Sequence, residues 1–344
     1  MGFDVEVASL TRKKSFGRVA KKMLVRTAGM LNLAGFPRGS ESKFMDYNRK
    51  LLGFASRHMA LTPIFSKFGV IEQDIGNRYD VAVVGSDQVW RPDYAPVRTY
   101  LLDFLGTQSK TRKISYAASF GKAEFDGSHD LIEVSKKLAQ EFKHISVRER
   151  SGVALVESLW GLKATRVPDP TFLLESSEYG QVTGRRREDF PYLLRYVLDE
   201  SESHVSLTSR LSTRLGLVST SLPSPSKSYV SDHHRPSRVP AVEEWLGAIK
   251  HADFLLTDSF HGCVMAILFS VPFAVVVNES RGSTRFDTLL ETFSLTSRII
   301  NVESELDEVA LLDNPINWAE VSEVISRERA LGREFLDRVM HGDD

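Results

Sequence analysis

Hydrophobic and polar positions change period several times along this chain, and each change marks an element. Residues 81–84 read VAVV, an unbroken apolar run bounded by Asp80 and by Gly85-Ser86-Asp87-Gln88. A short apolar run with polar flanks fits a strand covered on both faces, as in a parallel sheet. Gly85 ends it, and bulk returns at Val89 and Trp90. A second strand is predicted over Lys113–Gly121, where the small residues of KISYAASFG again end at a glycine. Leu131, Val134, Leu138 and Phe142 recur at spacings of three and four, which predicts an amphipathic helix ahead of a strand over His144–Val147. Farther along, Tyr192–Leu198, Ala252–Asp258 and Pro272–Val277 read as strands. Val242, Trp245, Leu246 and Ile249 mark a helix, and an apolar helix runs from near Gly262 through Cys263–Phe269. At the start, Phe3–Val7 alternates as a strand does, and the stretch to about Gly39 reads as a basic helix carrying Lys13, Lys14, Arg18, Lys21, Lys22 and Arg26 beside an apolar face. Strands alternating with helices imply parallel pairing and an α/β fold.

Val167-Pro168-Asp169-Pro170 places two prolines in four residues, which resist helix and central strand alike and predict a hinge. The domains expected on either side are residues 1–167 and 168–344. With 344 residues, 42% of them hydrophobic, the chain can bury two cores, and two domains make a cleft. Ser219–Pro240, rich in serine and proline, reads as a long exposed loop, and its His233-His234 pair has no spaced third ligand, so no metal site is expected.

A formal charge of −1 gives no global basic field, so no nucleic-acid partner is expected. Cys263 is the only cysteine, which excludes an internal disulfide framework and a cysteine-based metal site. No apolar run reaches the ~18–20 residues of a membrane span, and the start lacks the order of a secretory signal. A cytoplasmic protein is expected, with the basic N-terminal helix as its means of any peripheral membrane contact. The chain has neither a P-loop nor a G-x-G-x-x-G fingerprint, which argues against nucleotide hydrolysis and ordinary dinucleotide binding.

Open α/β sheets bind ligands beyond the carboxyl ends of their strands, so Ser86, Asp87 and Gln88 lie where a ligand is expected. The competing reading is a turn whose Ser and Asp cap the next element. In TDSFHGCVMAILF the strand stops at Asp258, the helix starts near Gly262 and His261 lies between them. A helix N-terminus attracts phosphate or carboxylate, and an imidazole there can change charge when an anion arrives. A structural histidine is the alternative. Arg281 and Arg285 read as loop residues beyond the next strand, with Gly282 between them. Two guanidiniums suit a small dianion, although loop arginines are also found merely solvated. Arg148 likewise emerges from a strand end, in the first half of the chain.

Taken in order, YDVAVVGSDQVWRPDY, KISYAASFG, ISVRERSG, VPDPTFLL, ADFLLTDSFHGCVMAILFSVPFAVV and the following R-G-S-T-R resemble the polysaccharide pyruvyl transferase family, from about Phe3 to Arg298. The resemblance implies two Rossmann-like domains facing a cleft, as in GT-B glycosyltransferases. It implies an enzyme that moves the enolpyruvyl part of phosphoenolpyruvate onto a sugar of a surface or exopolysaccharide precursor as a pyruvate ketal. It further implies no cofactor, phosphoenolpyruvate as co-substrate, and a sugar or lipid-linked oligosaccharide as acceptor. His261 and Arg148 are the implied catalytic residues. Arg281, Arg285, Ser259 and Gly262 fall on the donor side in the C-terminal domain. Ser86, Asp87, Gln88 and Ser119 fall on the acceptor side in the N-terminal domain.

Two departures from the family stand out. Some members carry Arg two positions before the histidine, where this chain has Ser259. The family also opens with a strand and an N-Y-G turn, whereas Met1-Gly2-Phe3-Asp4-Val5 resembles the second strand, so the first βα unit is expected to be missing. The competing functions are a GT-B-type nucleotide-sugar glycosyltransferase and an inactive, truncated homologue that serves as a binding protein.

Overall fold

The computed structural model describes residues 5, 10–11, 50–51, 53–60, 65–66, 78–222, 239–278 and 282–341. The chain divides into two compact units, one of Met1–Arg166 with Lys227–Val239, the other of Val167–Ser226 with Pro240–Asp344. The expected opening strand, the basic helix, the missing first unit, the His233-His234 pair and Arg281 lie outside the described residues, Val5 and a few isolated positions apart.

In the N-terminal unit, VAVV forms β1 (Val81–Val84), which pairs in parallel with β2 (Arg112–Ser115), itself parallel to β3 (Phe142–His144). β1 is not covered on both faces throughout. Val84 is buried but Val83 is 52% exposed, β1 standing at the end of the strand order among the described residues. A second parallel pair, β4 (Ser146–Val147) with β5 (Thr165–Arg166), joins the chain beyond β2 through a bridge between Ala118 and Val147. Ser115 and Ser146 seal that junction, each hydroxyl donating to the other's carbonyl at 2.9 and 2.7 Å.

Helix α1 (His129–Ala139) precedes β3, and α2 (Arg150–Trp160) follows β4. Phe142 thus opens a strand instead of closing the helix. Likewise the strand expected over Lys113–Gly121 stops at Ser115, because Ala117 takes a left-handed φ of 50° and turns the chain out of the sheet. Trp90 explains the return of bulk after Gly85-Ser86-Asp87-Gln88. It is fully buried, its ring centroid 5.0 Å from that of Trp160 and 5.4 Å from that of Phe120. The loop between β1 and Trp90 is therefore anchored at both ends by apolar packing.

The C-terminal unit begins at Val167. Pro170 opens a 3-10 turn over Pro170–Leu173, where a missing N–H costs nothing, and Asp169 caps it. Pro170 thus starts a helical turn instead of excluding one. There follow α3 (Ser176–Val182), β6 (Tyr192–Tyr196), α4 (Glu202–Leu215), β7 (Val218–Ser221), α5 (Val242–Lys250), β8 (Phe254–Thr257), α6 (Phe260–Phe269), β9 (Phe273–Val275), α7 (Thr284–Thr292), α8 (Glu305–Asp313) and α9 (Trp318–His341). All four strands are parallel in the order β9-β8-β6-β7. Leu194, Leu255 and Phe273 pack with α5 and α6 on one face, while Leu193, Leu256 and Ala274 pack with Leu207 and Leu211 of α4 on the other. Burial on both faces is why these strands read as continuous apolar runs.

β7 occupies residues that the sequence placed in a loop. Its VSTS is mostly exposed, as an edge strand can be, so it carries no apolar signal. The chain leaves β6 toward β7 on one side and returns to β8 on the other. The carboxyl ends of β6 and β8 therefore flank a topological switch point, where open α/β sheets take their ligands.

Candidate functional site

Three loops meet at the carboxyl edge of the C-terminal sheet. The Asp258 carboxylate, just after β8, accepts from the backbone N–H of Leu198 at 2.6 Å and of Asp199 at 3.1 Å, both just after β6. Asp199 in turn accepts from the Asn278 amide, beyond β9, at 2.9 Å. The Thr257 hydroxyl donates to the Tyr196 carbonyl at 2.6 Å and accepts from the Ser259 N–H at 3.0 Å. Buried polar groups are thus satisfied by one another across strand ends, which fixes where the next helix starts.

That helix is α6, and it begins at Phe260, two residues earlier than the sequence suggests. Ser259 is its N-cap, the hydroxyl accepting from the Gly262 N–H at 3.2 Å. The position where some family members carry Arg is here spent on the cap. Gly262 has no room for a side chain, since a Cβ would lie 2.8 Å from the Thr257 hydroxyl. His261 therefore sits in the first turn of α6, not in the connection before it. Its side chain is 32% exposed, and Nε2 lies 3.6 Å from Oδ2 of Asp169, a buried carboxylate. That is an ion-pair separation, longer than a hydrogen bond.

Arg285 is corrected from a loop residue to the second residue of α7. It is 5% exposed and packed with its guanidinium carbon 5.4 Å from the centroid of Phe260, the neighbour of His261. Sequence reasoning missed Asp169, which it treated as part of a hinge, and Asp258, which it treated as a strand end. The available signal was a carboxylate locked between two prolines inside VPDPTFLL. Cys263, one turn into α6, is fully buried, and burial pushes its thiol well above the usual range.

His204, in the first turn of α4, is a further imidazole beyond β6. Its Nδ1 lies 2.6 Å from the Ser201 hydroxyl. Burial is the main influence and lowers its pKa, assisted by Arg195 and opposed by Asp258, Glu200 and Asp199. The folded chain then binds fewer protons at this ring than the unfolded chain does. The associated stability is complete above the unfolded value near 6.5 and is lost as pH falls below it. His204→Gln is expected to flatten the fall of the thermal midpoint between about pH 7 and about pH 5. His251, lowered chiefly by burial as well, leaves a residual slope. A fall as steep in the variant as in the parent would show that His204 does not contribute.

In the N-terminal unit the structure brings together the residues singled out after β1, β2 and β4. Arg148, 4% exposed, lies 3.4 Å from the Asp87 carboxylate. The Asp87 carbonyl accepts from the Ser119 N–H at 3.1 Å, and the Ser119 carbonyl accepts from Trp90 at 3.1 Å. Gln88 is buried and accepts from Arg91 at 2.8 Å. Ser86 is half-buried. Ser119 is fully buried, and its hydroxyl donates to Glu149 at 3.0 Å. The same Glu149 oxygen accepts from the N–H of Phe120 at 2.8 Å and of Gly121 at 3.1 Å. Glu149 is a third residue that the sequence did not single out, although it directly follows Arg148.

Fold and edge chemistry define an α/β protein of two parallel-sheet units, with the first turn of α6 at the switch point of the C-terminal sheet. A family model described as polysaccharide pyruvyl transferase matches residues 26–280, and the chain belongs to that family. No curated protein matches the chain. Among solved structures, it is similar to a UDP-GlcNAc 2-epimerase from Methanocaldococcus jannaschii, at 14% identity and a TM-score of 0.51, over 89% of this chain and 98% of that one. It is also similar to the glycotransferase of kitacinnamycin, at 13% identity and a TM-score of 0.42, over 85% of this chain and 89% of that one. The first of these likenesses supports a GT-B-like fold. No helix among the described residues is long and apolar enough to cross a membrane.

Proposed function

We infer that the protein transfers the enolpyruvyl part of phosphoenolpyruvate to a sugar of a polysaccharide precursor, leaving a pyruvate ketal and inorganic phosphate. The observation that carries this reading is the position of His261. Its imidazole stands partly exposed in the first turn of α6, at the switch point of the C-terminal sheet, in a chain of this family. The helix dipole at that point favours an anionic donor.

The reaction needs a proton at C3 of phosphoenolpyruvate while a sugar hydroxyl adds to C2, forming the new C–O bond. The C2–O bond to phosphate then breaks, and a second hydroxyl captures the oxocarbenium-like carbon. One hydroxyl proton balances the new methyl group, and the other leaves with phosphate. His261 supplies the proton at C3 in this scheme, and the α6 N-terminus holds the donor's negative charge. Ser86 and Asp87, beyond β1, are the proposed acceptor contacts, with Gln88 and Ser119 holding that loop in place. No cofactor is required, and the cytoplasm, where phosphoenolpyruvate is made, is the proposed setting.

Incubation of the full chain with phosphoenolpyruvate and a panel of saccharides is expected to release phosphate only when an acceptor with two suitably spaced hydroxyls is present. Release of nucleotide from uridine-diphosphate sugars, with phosphoenolpyruvate untouched, would overturn the assignment in favour of a glycosyltransferase.

A further inference from the structure

We propose that Asp169 is the positioning residue of His261, setting which ring nitrogen carries the proton; its catalytic consequence rests on the function inferred above. The two side chains come from distant parts of the C-terminal unit, and Asp169 is held there by several independent constraints. Its Oδ1 accepts from the Thr171 N–H at 3.1 Å and from the Thr171 hydroxyl at 2.8 Å. Those bonds leave Oδ2 directed toward His261 Nε2, 3.6 Å away. Pro168 and Pro170 stiffen the backbone on either side.

The segment that follows is clamped by the long helix α9. Arg329, 9% exposed, donates to the carbonyls of Phe172 at 3.1 Å and Leu174 at 3.0 Å, and Arg333 donates to that of Leu173 at 2.9 Å. Capping a four-residue 3-10 turn does not require so many fixed contacts. A carboxylate whose direction matters does.

A buried carboxylate facing Nε2 favours the tautomer with its proton on Nε2, because the N–H dipole then points at negative charge. Nδ1 is left as the nitrogen free to exchange a proton with the donor. Asp169→Asn separates this role from the structural one. Asn can keep Oδ1 as the acceptor for Thr171, so the turn stays capped, but it presents an amide N–H₂ to the ring. Nε2 should then act as acceptor, and the proton should move to Nδ1.

The test is a long-range ¹H–¹⁵N correlation on the histidine-labelled full chain at alkaline pH, with His261 assigned from the signals lost in His261→Gln. The parent should show mainly Nε2–H and Asp169→Asn mainly Nδ1–H, at an unchanged thermal midpoint. In the phosphate-release assay, Asp169→Asn should lower kcat by about 10–100-fold, as loss of an outer-sphere partner of histidine typically does, with KM for phosphoenolpyruvate nearly constant. Asp169→Glu should restore part of kcat. An identical tautomer in parent and Asp169→Asn overturns the proposal, as does a switched tautomer with full kcat. A switched tautomer in a protein whose parent form releases no phosphate supports the pairing while removing the inferred reaction.

Discussion

His261→Ala is expected to lower turnover by roughly 10²–10⁴, the usual contribution of a general acid or base, while the thermal midpoint stays within a degree or two of the parent. The two effects separate because of where the ring sits. It is 32% exposed, meets Phe260 edge-on with centroids 5.4 Å apart, and approaches Asp169 at an ion-pair separation. Removing it leaves no void in the core built by Cys263, Val264 and Ile267 on the inner face of α6. Alanine is the better helix former, which offsets the small contact loss. Asp169 keeps both bonds to Thr171. Steady-state kinetics beside a melting curve decide the matter: full turnover in a folded variant would remove His261 from the chemistry.

Glu149→Ala should have the largest effect on stability, about 3 kcal/mol. One of its oxygens accepts from the Ser119 hydroxyl and from the N–H groups of Phe120 and Gly121, all of them buried. Gly121 retains the Ser119 hydroxyl as an acceptor at 3.0 Å, but Phe120 is left with a buried, unmatched donor, and Ser119 must find a new partner. Each such group costs about 1–3 kcal/mol. The opposing term is relief from desolvation, because the second Glu149 oxygen is buried without a hydrogen-bond partner. Gln, which keeps the accepting oxygen, should lose less than Ala. Urea unfolding measures the difference, and a loss in Glu149→Ala below about 1 kcal/mol would mean that relief from desolvation cancels most of what the three bonds contribute.

What could be read in the sequence follows burial on both faces. FLLT and FAV are buried throughout in the C-terminal parallel sheet, and their apolar runs stood out without help from context, whereas VAVV was legible from its residue types alone, its Val83 being exposed. VSTS did not stand out, because β7 is an edge strand with polar, exposed positions. Phe142 fitted a helical period by coincidence, one that β3 overrode by pairing with β2. His261 was legible because a histidine between an apolar strand and an apolar helix is a distinct local pattern. Asp169 was not, since its role depends on His261, 92 residues away, and on a turn that Pro170 begins and does not break. Arg285 looked like a loop residue because Gly282 and Ser283 precede it, yet α7 starts at Thr284 and draws the guanidinium onto Phe260.

The most direct test of the central claim is to follow isotopically labelled C2 of phosphoenolpyruvate by carbon NMR in the presence of the full chain and an acceptor saccharide. The account predicts that the label appears as a quaternary ketal carbon on the sugar, bonded to two sugar oxygens, with one phosphate released per ketal and both products formed roughly 10²–10⁴ times more slowly by His261→Ala. Label that stays in phosphoenolpyruvate while the same saccharide is modified from a nucleotide-sugar donor would contradict it.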